Sequence, residues 1–395
     1  MFEALERLPA DPILGLAAAC KADPNPHKVD VTVGVYMDEA GATPVPQAIK
    51  LAQQELVGSE TTKVYMPQVG DADFNRGMQE LMLGADSNAL SEARVTSVQA
   101  PGGSGALRLC AEVVKIANPD ATIWVSDPTW PNHVPLLGAT GLKLRSYRYY
   151  ASATHSVDFE AMLEDLQQVG RGDLVLLHGC CHNPCGADLD QQQWGLIAAL
   201  AARNGFTPFV DFAYQGLGDG LEADAAGLRQ LVAAVPEVLI AGSCSKNLGL
   251  YRERTGAALF VSADPDAAIA AQTQATAAAR RIYSMPPAHG AILAGRVLTD
   301  ARLNALWREE LEQMCGRING LRLQLVEKLN AATGEDFGFI AREKGMFSFL
   351  GISAEQVKRL REEHSVYMVG SSRMNIAGLR ADNMDYFAAA VAKVL

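Results

Sequence analysis

Gly242-Ser-Cys-Ser-Lys-Asn-Leu-Gly249 follows directly on the apolar run Glu237-Val-Leu-Ile-Ala-Gly242, and the fold is decided by how these residues are read. The run reads as a short buried strand whose small-residue exit leaves room for a bulky ligand near the backbone. Ser243 and Ser245 precede or flank Lys246, and Arg252 and Arg254 follow it. Partial burial and neighbouring cations lower a lysine pKa and free the neutral amine as a nucleophile. The hydroxyls and an arginine suit a phosphate. An amine beside a phosphate cradle is what pyridoxal phosphate (PLP) requires. On its own the segment also fits a surface lysine snorkelling past a strand end.

Working outward, short apolar runs alternate with longer helix-period segments. Strands are expected at Thr122–Ser126, Leu142–Tyr147, Leu174–His178, Thr207–Asp211, Val238–Gly242 and Ala257–Val261. Helices are expected at Gly105–Ala117, Asp158–Gln168, Gln191–Asn204 and Ala223–Ala234. This alternation predicts an α/β fold with a mostly parallel central sheet covered on both faces. Ligands gather at the carboxyl ends of such strands. His178–Gly186, Asp211 and Ser243–Lys246 all fall there. From about Pro286 the pattern changes to a long amphipathic stretch, Ala301–Asn330, then a strand-like run at Gly345–Gly351. A helix at Ala354–His364 and strands at Val366–Val369 and Arg373–Ile376 follow, which reads as a smaller α+β domain. The expected organisation is an N-terminal arm at 1–12, a small domain from 13–46 and 300–395, and a large PLP-binding domain at 47–299.

With 395 residues, 49% hydrophobic and 20% charged, the chain has ordinary globular composition. A net charge of −11 argues against nucleic acid or an anionic membrane surface as main partner. It leaves an anionic small molecule open, because pocket charge can oppose net charge. The seven cysteines form no regular framework, which points to a reducing cytoplasm. Neither a signal peptide nor a membrane-spanning stretch is expected.

Further segments carry chemistry. Pro101-Gly-Gly-Ser-Gly-Ala-Leu-Arg108 is a glycine-rich turn opening a helix, with Gly103 amide and Ser104 hydroxyl suited to phosphate. No strong strand is expected just before it, and a plain loop is the alternative. Ser126-Asp-Pro-Thr-Trp-Pro-Asn-His133 holds Trp130 between prolines, ready to stack on a flat ring or simply to pack. His178-Gly-Cys-Cys-His-Asn-Pro-Cys-Gly186 is dense in possible metal ligands, but its spacing supports no closed zinc site, and no metal is expected. Its turn holds Asn183 over the strand ends, where the amide suits a phenolate or carboxylate. Asp211-Phe-Ala-Tyr214 places a carboxylate at a strand terminus, where burial demands a cationic partner. A protonated pyridine nitrogen meets that demand, with Tyr214 near the ring's oxygen; taken alone, the segment fits a capping aspartate equally well. Arg373, inside the apolar run Ser371-Ser-Arg-Met-Asn-Ile-Ala377, calls for a bidentate carboxylate from a substrate or from the protein.

Taken together, these segments resemble the aspartate/aromatic (tyrosine) branch of the class I aminotransferases, PLP-dependent transferases of fold type I. The resemblance spans essentially the whole chain, from Gly34-Val-Tyr to Arg373-Met-Asn-Ile-Ala-Gly. It rests most on Ser126–His133, His178–Pro184, Asp211-Phe-Ala-Tyr-Gln-Gly, Ser245-Lys-Asn and Pro286-Pro-Ala-His-Gly. It implies that Lys246 carries PLP covalently and that Asp211 pairs with the pyridine nitrogen, backed by His133. Tyr214 and Asn183 then contact the ring oxygen, and Trp130 stacks on the ring. Gly103, Ser104, Ser243 and Arg254 hold the phosphate, joined by Tyr65 from the second subunit of a homodimer. Arg373, with Gly34, Trp130 and Asn183, binds the substrate α-carboxylate, and Arg280 crosses the dimer interface to the side-chain end of the pocket. Cys185 stands where the family usually has threonine, a packing change without expected loss of activity.

The resemblance also bears on substrate. Met37, Val64, Ser104 and Met285 stand near the pocket mouth, where aspartate enzymes commonly carry lysine, asparagine, threonine and asparagine. Apolar residues ease desolvation for an aromatic ring, by roughly 25 cal/mol per Å². The expected activity is transfer of the amino group of aromatic L-amino acids (Tyr, Phe, Trp) to 2-oxoglutarate, with dicarboxylate (Asp/Glu) activity through Arg280. An aspartate aminotransferase is the alternative, and another PLP reaction such as a β-lyase is a more distant one.

Overall fold

The computed structural model describes residues 1–8 and 12–395. Seven strands form its central sheet: β1 (Val95–Pro101), β2 (Thr122–Asp127), β3 (Lys143–Arg148), β4 (Leu174–His178), β5 (Thr207–Phe212), β6 (Val238–Ser243) and β7 (Thr255–Val261). Their spatial order is β1-β7-β6-β5-β4-β2-β3. Only β7 runs antiparallel to its neighbours, so the other six share one direction. All six anticipated strands are present.

Strand β1, by contrast, runs straight into the Pro101–Arg108 turn, where no strong strand was expected. Its sequence, Val-Thr-Ser-Val-Gln-Ala-Pro, looks too polar for a core strand, yet Ser97 and Gln99 are buried. Each has partners inside: Gln79 donates to Ser97 Oγ at 2.8 Å, and Gln99 donates to the Pro287 carbonyl at 2.7 Å. Satisfied polar groups remove the penalty that burial would otherwise impose.

Alternation along the strands feeds two cores. Ile123, Val125, Leu174, Leu176 and Phe209 face helices α1 (Gly102–Ala117) and α3 (Pro265–Ile282). Trp124, Val175, Leu177, Val210 and Ile240 face the other way, towards α2 (Gln191–Asn204) and its neighbours. The sheet is therefore covered on both sides, as parallel sheets require.

The anticipated C-terminal elements are also present. The 33-residue helix α4 (Ala301–Thr333) is followed by short strands at Phe347–Phe349 and Arg373–Asn375, which pair antiparallel. Val29–Asp30 pairs with Val366–Tyr367. Asn375 donates to the carbonyls of Val33 and Val35 at 2.7 and 2.8 Å, tying the Gly34 segment to the Arg373 strand. Of the expected arm, residues 9–11 lie outside the described residues. Phe2–Ala4 forms a single 3-10 turn, with Phe2, Leu5 and Leu8 exposed. No helix among the described residues is long and apolar enough to cross a membrane.

Candidate active site

The strand ends and the first turn of α1 enclose a cavity of about 260 Å³. Its wall brings together Gly34, Gly103, Ser104, Trp130, Asn183, Asp211, Tyr214, Ser243, Lys246, Arg254 and Arg373. These come from seven separate stretches of chain, all picked out in the sequence. Tyr65 and Arg280 are not on this wall. Both are exposed, Tyr65 at 84%. Of the four residues expected near the pocket mouth, Ser104 lines the cavity. Met37 and Met285 are half-buried outside its wall, and Val64 is 77% exposed.

Lys246 sits in the connection between β6 and β7. Gly249 N–H donates to the Lys246 carbonyl at 3.1 Å, and Trp307 of α4 donates to the Asn247 carbonyl at 2.7 Å, so the loop is held at both shoulders. Its amine lies 4.8 Å from the centre of the Tyr214 ring. Burial, helped by the Arg254 charge, pulls the Lys246 pKa below its ordinary value, although Asp211 acts against this. The neutral amine becomes easier to reach, as the sequence suggested.

Asp211 closes β5. Burial pushes its pKa up, but the Nε2–H of His133 donates to Oδ2 at 3.1 Å. That bond, with the charges of His133, His178 and Lys246, outweighs burial and holds the carboxyl below its usual range. Behind it lies a chain of polar contacts in which His133 alone was anticipated. His133 Nδ1 is 2.7 Å from Thr129 Oγ1, which is 3.2 Å from His178 Nε2. Burial, then His133, pushes the His178 pKa down to about 3, so this ring is neutral near pH 7. One polarity satisfies every contact: His178 donates to Thr129, Thr129 to His133, and His133 to Asp211. Since His178 is then uncharged, the hydrogen bond from His133 counts for more than any His178 charge in keeping Asp211 ionised.

The phosphate-shaped end is formed by α1 and the β6 exit. Gly102 has φ +73°, and a β-carbon there would stand 2.5 Å from Arg254 Nη2. Glycine is therefore required for the guanidinium to approach the helix N-terminus. Arg254 donates to the Tyr251 carbonyl at 2.7 Å, and Ser243 and Ser245 line the same end.

Arg373 enters from the opposite wall. It donates to the Thr32 carbonyl at 2.7 Å, lies 4.6 Å from the centre of the Phe347 ring, and its buried Nε has no partner. Among the described residues no carboxylate pairs with it, so the protein-internal ion pair weighed in the sequence is not formed. Asn183 donates to Tyr214 Oη at 3.5 Å, while its buried Oδ1 is also unpartnered. Tyr251, Phe347, Leu107 and Ile13 complete the wall. Tyr251 and Phe347 carry no local sign of being site residues, because each reads as ordinary core.

The cysteine-rich turn behaves differently from a ligand set. Cys180, Cys181 and Asp224 have ligand atoms within 4.8 Å of one another. Asp224, however, already accepts amides from Gly216, Gly218 and Asp219 at 2.8–3.0 Å.

These residues fit PLP. A backbone-and-hydroxyl cradle with an arginine meets the phosphate, a buried ionised carboxylate awaits a cation, a buried amine stands between them, and two buried polar atoms lack partners. Comparison with known proteins agrees. Residues 26–391 match the family model "Aminotransferase class I and II". The chain is 47% identical over 394 residues to an aromatic-amino-acid aminotransferase of Pseudomonas aeruginosa, covering 100% of this chain and 98% of the relative. It is 45% identical to an aspartate aminotransferase of Haemophilus influenzae, with both chains fully covered. The crystal structure of an aromatic-amino-acid aminotransferase from Burkholderia pseudomallei, covalently bound to pyridoxal phosphate, superposes with a TM-score of 0.98 at 41% identity, covering 100% of this chain and 99% of that one. The chain thus belongs to the class I and II aminotransferases, in their aspartate/aromatic branch, and is a PLP-dependent transaminase.

Proposed function

We propose that this transaminase moves the amino group of aromatic L-amino acids to 2-oxoglutarate in a ping-pong cycle and also accepts aspartate and glutamate. The observation that carries the reading is Arg373, a buried guanidinium without a protein carboxylate, in one cavity with a buried lysine and a buried ionised aspartate. The aromatic preference is supported by Leu107, Trp130 and Phe347 on the cavity wall and by the name of the Pseudomonas relative. Aspartate as main substrate is the second reading, favoured by the similar identity to the Haemophilus enzyme.

PLP, when bound, supplies an electron sink for the pair left on the substrate carbon. Lys246 would hold the cofactor through its amine, and that amine, once displaced by the substrate's own amine, would move the proton at the substrate Cα. Asp211, kept negative by His133, holds a proton on the ring nitrogen, with Tyr214 and Asn183 at the ring oxygen and Trp130 on its face. Gly103, Ser104, Ser243 and Arg254 anchor the phosphate. Arg373 fixes the α-carboxylate, with Gly34, Trp130 and Asn183 around it. A positioned acid–base contributes about 10²–10⁴ in rate.

The working unit in this proposal is a homodimer with shared sites, to which Tyr65 and Arg280 of each protomer contribute across the interface. Their exposure and their absence from the wall of their own cavity support this assignment. Residues 13–46 and 300–395 make the small domain and 47–299 the large one. Seven buried free thiols favour a cytoplasmic setting. Measuring kcat/KM for phenylalanine, tyrosine and aspartate with 2-oxoglutarate tests the substrate choice. An aspartate value about a hundredfold higher would overturn the aromatic preference.

A further inference from the structure

Behind the substrate-carboxylate side of the cavity lies a buried acid that the reaction scheme leaves unused. Glu343 is 2% exposed and follows the short helix Phe339–Arg342. Its Oε2 is hydrogen-bonded by Ser348 Oγ, and its Oε1 has no partner among the described residues. Arg322 of α4, 1% exposed, has Nη1 3.6 Å from Oε2, beyond hydrogen-bonding reach. Its N–H groups are committed elsewhere. They donate to the carbonyls of Ile340 at 2.8 Å, Gly345 at 2.8 Å and Phe347 at 2.6 Å, and to Lys344 at 3.1 Å.

This cluster touches both walls of the active site. Phe347 carries Arg373 over its ring, and its strand pairs with the Arg373 strand. Gly186 ends the turn that presents Asn183, and Lys344 N–H donates to its carbonyl at 2.7 Å. Gly186 has φ +74°, and a β-carbon there would meet the Phe347 carbonyl at 2.4 Å and Glu343 Cβ at 3.1 Å. Asn183 and Arg373 are thus held in relation to each other through one packed knot.

We propose that Glu343 is a positioning residue for the substrate carboxylate, setting through Arg322, Phe347 and Gly186 how Arg373 and Asn183 face each other. The inference rests on the assignment of Arg373 to the substrate carboxylate. Its physical basis is competition for Arg322. While Glu343 is neutral, the guanidinium serves the carbonyls of residues 340–347. Once Glu343 ionises, the negative charge draws Arg322 off them and the segment beneath Phe347 loosens. Burial pushes the Glu343 pKa up to about 8, against the Ser348 hydrogen bond and the Arg322 and Arg342 charges. Cys185 and Tyr150 also feel its charge, and the charges of Cys181 and Asp188 act on Arg322.

The test compares the PLP-loaded wild type with Glu343→Gln from pH 6.5 to 9, using 2-oxoglutarate because it has no amine to titrate. The ratio of wild-type to variant KM is expected to rise roughly fivefold across that range, the low end of ordinary coupling between sites, while the kcat ratio stays flat. Ser348→Ala removes a bond that lowers the Glu343 pKa and should move the midpoint of the KM profile upward. Stability provides a readout independent of turnover. A raised carboxyl pKa contributes stability that is full below about 4.5 and is lost as pH rises through about 8. The wild-type Tm should therefore fall by roughly 5 °C more than that of Glu343→Gln between pH 5 and 9. A KM ratio that does not change with pH, or kcat moving in step with KM, overturns the proposal even if the Tm difference appears. If Arg373→Ala leaves the KM for 2-oxoglutarate unchanged, the carboxylate assignment falls and this inference falls with it.

Discussion

Replacing Arg373 by leucine should make the protein sturdier and the enzyme far worse. The guanidinium is buried, donates one hydrogen bond to the Thr32 carbonyl and, among the described residues, has no partner for Nε and no carboxylate beside it. Burial pulls its pKa below the ordinary arginine value, so the unliganded fold bears the cost of the charge. An unsatisfied buried charged donor costs about 1–3 kcal/mol or more, and losing the Thr32 bond returns about 1 kcal/mol of that. Leucine packs against the face of Phe347 without the charge, and the net gain is about 1–2 kcal/mol. For a chain of this length, that is about 2 °C in Tm. Substrate binding loses two charge-assisted hydrogen bonds, about 3–5 kcal/mol together, or about 10²–10⁴ in kcat/KM. Thermal unfolding of the substrate-free enzyme beside steady-state kinetics reads both numbers. A Tm that drops several degrees while KM stays unchanged would refute the reasoning and make Arg373 a structural tie.

Two further outcomes are expected. Asp211→Asn keeps the shape but not the charge, so kcat should fall by about 10²–10⁴ while PLP still binds through the phosphate cradle; apo protein that no longer takes up cofactor would contradict the assigned division of labour. Cys185→Thr should be close to neutral, within about 1.5 kcal/mol by thermal unfolding and with unchanged kcat. The thiol's contacts are His182 Nδ1 at 3.1 Å and a long approach to the Ala187 carbonyl, both of which a hydroxyl can take over.

What the sequence made legible and what it hid differ for physical reasons. Strands β2, β4, β5 and β6 carry short apolar runs because both of their faces are buried, and such runs announce themselves, whereas the edge strand β3, Lys-Leu-Arg-Ser-Tyr-Arg, is mostly exposed. Strand β1 hid because its buried serine and glutamine find partners 18 and 188 residues away, and no local pattern encodes those bonds. The antiparallel direction of β7 was equally silent, since side-chain periodicity is the same either way. Within the site, residues on strand-end loops were readable because lysine, aspartate and arginine in apolar surroundings demand an explanation. Phe347 and Tyr251 were not, because aromatic residues in apolar runs need none. Thr129 and His178 became visible only once folding set them end to end behind His133.

Helix α4 has a consequence of its own. Trp307 steadies the lysine loop, Asn319 donates to the Gly218 carbonyl at 3.0 Å, and Arg322 gathers the carbonyls under Phe347. These three grips lie along one rod and are separated by whole numbers of residues, about 1.5 Å each. Adding a single residue between Trp307 and Arg322 would turn one grip about 100° away from its target while leaving the helix itself intact. The outer face of this rod is free to vary, but its length and phase between those points are not.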